Sequence, residues 1–131
     1  MADTRAYVNR QYKTDNHTII ESMISEGSAN LFGIRLNPQA HSQYINISQA
    51  EAKKALRKLK PTLKKNKRVS FADSYLMNRR AYPNFAAHQL GFYLMESYVK
   101  AFPRLTWTVI ASQKPHYIFL KAWETLFNKK F

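Results

Sequence analysis

The hydrophobic positions of this chain recur mostly at helical spacing. The clearest case starts at Ser48, where Ala52, Leu56, Leu59 and Leu63 follow one another at intervals of four, three and four. That spacing places them on one stripe of a helix. Ser48 with Glu51 three residues on forms a capping box and marks the start. Pro61 lies inside the pattern. It lacks an N–H, and its ring crowds the carbonyl of Arg57, so it predicts a bend or break. The expectation is two short helices joined at a kink.

Other segments read in the same way. Ile19, Ile20, Met23 and Ile24 give an apolar face for a helix over 15–26, capped by Thr14 or Asp15 and ended by Gly27. The stretch 28–47 shows no helical period and is punctuated by Gly33 and Pro38. Its Leu31, Phe32, Ile34 and Leu36 predict an extended connector laid over another surface. A short helix is predicted over 71–81, with Ser70 and Asp73 at its first turn and Phe71, Tyr75, Leu76 and Met77 for packing.

The longest predicted helix spans 84–102, with Pro83 at its first position. Leu90, Leu94, Tyr98 and Phe102 make its stripe; Phe85, Phe92, Met95 and Val99 broaden it. A helix this apolar is buried or sandwiched between subunits. Gly91 within it predicts a close approach by a neighbour, at a cost of ~1 kcal/mol against Ala. The segment 104–111 carries both a strand-like alternation and no partner strand, so a short helix beginning at Pro103 is expected. Pro115 starts the last helix, where Ile118, Phe119, Ala122, Trp123, Leu126 and Phe127 form the apolar face.

These elements predict an all-α fold: a kinked basic helix-turn-helix arm plus a compact C-terminal helical bundle. The expected division is 1–69 for the N-terminal arm, connector and basic helices, and 70–131 for the bundle.

Charge changes this picture most. The chain has 21 Lys or Arg against eight Asp or Glu, a net charge of +13. Nine of the basic residues lie between Lys53 and Arg68, with no acid among them. Such a balance is the footprint expected of a nucleic-acid binder. The candidate phosphate contacts are Lys53, Lys54, Arg57, Lys58, Lys60, Lys64, Lys65, Lys67 and Arg68, joined by Arg79 and Arg80. Arg5, Arg10 and Lys13 add a basic arm interleaved with Tyr7 and Tyr12. The Arg pair also suits compensation of a helix dipole, and the arm also suits a loose terminus. Lysine-rich contacts of this kind position a duplex without reading its sequence.

Candidate chemistry is sparse. His17, His41, His88 and His116 sit in different segments, and none is spaced from another as a metal ligand. HExxH, a P-loop and GxGxxG are absent. The acids are scattered, and no cysteine is present. His88 reads as a core or interface histidine. The expectation is therefore no catalytic residue, no metal, no cofactor and no enzyme. No apolar run approaches the ~20 residues of a membrane span.

The Lys53–Arg68 run with Pro61, the helix FAAHQLGFYLMESYVKAFP (85–103) and the Pro-initiated ASQKPHYIFLKAWETLF (111–127) give a layout. It resembles the major capsid proteins of filamentous and rod-shaped archaeal viruses. The resemblance covers most of the chain as architecture, without a diagnostic motif. It departs in having few glycines and many aromatics.

The resemblance implies a structural protein that wraps A-form double-stranded DNA in a helical virion assembled in the host cytoplasm. Implied partners are DNA, a second copy or a paralogous capsid subunit, and in the filamentous kind a lipid envelope. The alternative is a non-capsid nucleic-acid-binding protein: chromatin-type, a regulator, or a CRISPR-related small subunit or inhibitor.

Overall fold

Thr18 starts the first helix because its hydroxyl accepts the N–H of Glu21 at 3.1 Å while the Glu21 carboxylate accepts the N–H of Thr18 at 3.0 Å. This reciprocal box stabilises the first turn. The structure is a computed structural model, and it describes residues 17–41, 45–69 and 86–131. In chain order the elements are β1 (His17–Thr18), α1 (Ile19–Leu36), α2 (Gln49–Lys65), β2 (Arg68–Val69), α3 (Ala86–Ala101), α4 (Trp107–Ser112) and α5 (Pro115–Phe127). A 3-10 turn covers Pro38–Ala40. The fold is all-α, and β1 and β2 add only a two-residue antiparallel bridge, His17 to Val69 and Thr18 to Arg68.

Helix α1 departs from expectation at both ends. It begins at Ile19, and it runs through Gly27 to Leu36 instead of stopping at the glycine. Half of the expected extended connector is therefore helix. The apolar period is interrupted midway along this helix because Ser22, Ser25, Gly27 and Ser28 are buried small residues that do not read as apolar. Leu31 and Ile34 continue the buried side, while Leu36 is 61% exposed.

Helix α2 keeps its capping box, Ser48 with Glu51, and buries Ala52, Leu56, Leu59 and Leu63 as the spacing requires. The expected break at Pro61 does not occur: the helix is continuous over 49–65. Pro61 is exposed, so the carbonyl that loses its intrahelical donor is on the side open to water. The buried leucines on both sides of it hold the two turns in line. Asn66 ends α2 in the left-handed region (φ 43°), and its Oδ1 accepts the N–H of Ile20 at 3.2 Å. One residue thus ends α2 with its backbone, its N–H donating to the Thr62 carbonyl, and fastens it to the start of α1 with its side chain.

Helix α3 follows its predicted stripe through Leu90, Leu94 and Tyr98, but Phe102 lies just past its end and is 39% exposed. Helix α4 begins later than Pro103, at Trp107, because the Thr106 hydroxyl accepts the N–H of Val109. Helix α5 starts at Pro115 as expected. The expected helix over 71–81 lies outside the described residues.

One core takes residues from both sides of the 69/70 boundary. Ile20, Ile24 and Leu56 cluster with Leu94, Met95, Ile118 and Phe119, all with no exposure. Each such aliphatic contributes about 1.5–3 kcal/mol through burial. Helices α1 and α3 approach most closely at Gly27 and Gly91. A Cβ on Gly91 would strike the Met23 carbonyl, and one on Gly27 would strike the Gly91 backbone.

Candidate active site

The α1–α3 crossing brings two titratable side chains together that lie 62 positions apart in the sequence. Glu26, next to Gly27 on α1, places its Oε2 3.1 Å from Nε2 of His88 on α3. The side chains are 14% and 21% exposed, respectively. The glycine pair makes this possible, since helices separated by ordinary side chains would hold the two groups further apart.

Burial governs the electrostatics. It pushes the Glu26 carboxyl up from 4.5 to about 7, because the charged form loses water. It pushes the His88 imidazole below its ordinary value for the same reason. Both shifts favour the uncharged forms. Near neutral pH the carboxyl therefore holds its proton part of the time beside a neutral imidazole, an arrangement suited to acid–base work.

The residue after His88 faces elsewhere. The Gln89 carboxamide Oε1 accepts the backbone N–H of Asn46 at 2.9 Å and of Ile47 at 3.1 Å. Tyr93, one turn further, donates its hydroxyl to the Ile47 carbonyl at 2.6 Å. Together they hold the segment that leads into α2. The other histidines lie apart: His41 meets the Phe92 ring edge-on with centroids 5.5 Å apart, and His116 lies beside Phe119.

The basic residues expected at a phosphate interface are placed as follows. Lys53, Arg57, Lys60 and Lys64 lie along one side of α2 and reach the aromatic end of the chain. Lys53 and Arg57 stand 5.4 and 5.1 Å from the Phe127 centroid. Lys60 lies 5.8 Å from Trp123 and 5.7 Å from Phe131, and Lys64 lies 5.6 Å from Phe131. Lys53, Arg57 and Lys60 therefore join α2 to α5, and Lys60 and Lys64 join it to Phe131, by cation–π attraction, whatever else they bind. Lys54, Lys58, Lys65 and Lys67 are exposed. Arg68 forms part of β2. Arg5, Arg10, Lys13, Arg79 and Arg80 lie outside the described residues.

Reasoning from sequence missed Glu26 altogether and read His88 as a core or interface histidine. No local signal pairs them, because the pairing exists only through the helix crossing. Gly91 was the one legible hint, since it announced a close neighbour without saying which.

A family model described as "Predicted Zn-dependent protease (DUF2268)" matches residues 5–118. No curated protein and no solved structure matches the chain. The match overturns three expectations: the capsid protein, its non-capsid nucleic-acid-binding alternative, and the absence of enzymatic activity. The first two rested on net charge and helical layout, and the third on scattered acids and histidines without a recognisable motif. Charge reports on the surface, and many folds share one layout, so neither identifies a family.

A catalytic zinc takes three protein donors and leaves one position open. The crossing brings together two, His88 and Glu26. Among the described residues no three His, Cys, Asp or Glu side chains converge to hold a metal. These donors do not fit a catalytic zinc.

Proposed function

Since the chain belongs to the DUF2268 family of predicted Zn-dependent proteases, we propose that it is a hydrolase of polypeptides and that Glu26 and His88 transfer the proton. The observation that carries the reading is the 3.1 Å contact between a carboxyl and an imidazole, both largely buried. Hydrolysis of an amide needs a base to take a proton from the attacking water and an acid to return it to the leaving amine. The pair supplies both roles with a single proton. In its basic form it accepts the proton as the water oxygen bonds to the carbonyl carbon. In its acidic form it delivers that proton to the nitrogen as the carbon–nitrogen bond breaks. The carboxyl, with its pKa near 7, is present in both forms at neutral pH.

The net charge of +13 favours encounter with acidic polypeptides. The test is hydrolysis of fluorescently labelled unfolded polypeptides, one acidic and one basic, by the full chain, Glu26→Gln and His88→Ala. Circular dichroism checks that each variant is folded. Loss of a general acid–base group lowers the rate by about 10²–10⁴-fold, and the acidic substrate should be cleaved faster. An inactive wild-type chain, or a folded Glu26→Gln variant with undiminished activity, removes the proposal.

A further inference from the structure

Zinc peptidases of the HExxH type hold the metal on one helix. Two histidines one turn apart are ligands, and the glutamate after the first is the base. Helix α3 carries His88-Gln89-Leu90-Gly91-Phe92, which keeps only the first histidine of that register. The geometry of the other two positions shows what they do instead.

Gln89 stands where the base would be. It is 1% exposed, and its Oε1 is taken up by the N–H groups of Asn46 and Ile47. That places the side chain against the segment entering α2, with its acceptor atom committed. Phe92 stands where the second ligand would be. It is 1% exposed, and its ring meets His41 and Tyr93 edge-on, with centroids 5.5 and 5.2 Å apart. A core ring offers no donor to a cation. Between these two positions, the close approach of Gly91 to the Met23 carbonyl leaves no room beside Gly91 even for a methyl group.

We infer that α3 is a structural helix that holds no zinc, and that Gln89 is a positioning residue for the start of α2. Any hydrolysis by the Glu26–His88 pair then proceeds without a metal on this helix. The inference relies on the family match for the expectation of zinc, but it does not require the chain to be active.

Three measurements on the full chain test it. After incubation with zinc sulfate and gel filtration, elemental analysis should find far less than one zinc per chain. EDTA should leave the melting temperature unchanged. Gln89→Leu should speed hydrogen exchange at the Asn46 and Ile47 amides by about tenfold or more, the scale of a lost buried acceptor. Gln89→Glu keeps an acceptor oxygen, so it should preserve the slow exchange and still gain no zinc.

One zinc per chain that disappears in His88→Ala overturns the inference, as does unchanged exchange in a folded Gln89→Leu variant. Zinc content and hydrolysis are read separately. A zinc-free, inactive chain removes the proposed hydrolase and leaves this inference standing, whereas a zinc-bound, active chain does the reverse.

Discussion

Replacing Gly91 by alanine adds one methyl group where the structure has room for none. The ideal Cβ would overlap the Met23 carbonyl oxygen and lie 3.0 Å from both the N and Cα of Gly27. All of these are backbone atoms of a packed helix, so none can rotate away. The two helices must separate, and the contacts of Ile20 and Ile24 with Leu94 and Met95 loosen as they do. Overpacking a core costs about 1–3 kcal/mol, and a backbone clash belongs at the upper end. Alanine returns ~1 kcal/mol of helix propensity. The net loss is about 2 kcal/mol or more, a fall in Tm of roughly 6–10 °C for a chain of this size.

Gly33 supplies the control. It also lies inside α1, but a Cβ there meets nothing within 4 Å, so Gly33→Ala should gain about 1 kcal/mol. Urea denaturation of the three proteins measures both effects. If Gly91→Ala and Gly33→Ala shift the midpoint in the same direction, the close crossing is wrong and the Glu26–His88 contact loses its physical basis.

The Glu26 carboxyl is raised from 4.5 to about 7, so its contribution to stability is complete below pH 4.5 and is lost as pH rises towards 7. The loss is at most ~3 kcal/mol. His88, lowered from 6.5, acts in the opposite sense and costs stability as pH falls below 6.5. The difference in urea midpoint between wild type and Glu26→Gln should therefore vary across pH 4.5–7, and a difference independent of pH would contradict the burial of the carboxyl. Pro61 interrupts a helix that is continuous without its N–H, so Pro61→Ala should stabilise the chain by up to about 3 kcal/mol. A lower denaturation midpoint would mean that the proline shapes the packing of α2.

Local chemistry explains which parts of the fold were legible. The Ser48–Glu51 box, the leucine stripe of α2 and the proline that opens α5 act through neighbours in sequence, and each is found where its pattern predicts. The same kind of reasoning failed at Gly27, read as a helix end, and at Pro61, read as a break. Both residues weaken a helix in isolation. Gly27 is held inside α1 because it is needed against Gly91, and Pro61 is held inside α2 by buried leucines on either side. Tertiary packing overrode a propensity of about 1 kcal/mol at Gly27 and about 3 kcal/mol at Pro61.

By itself the sequence determined the all-α class, the start of α5, the apolar faces of α2 and α3, and the basic surface. These depend on periodicity and composition, which a linear chain displays. The tertiary structure alone decided that Glu26 meets His88, that Gln89 holds the entry to α2, and that the lysines of α2 rest on Trp123, Phe127 and Phe131. Each of these joins residues far apart in the chain through a helix crossing. The angle and separation of such a crossing come from how whole faces fit, and no spacing within one segment records them.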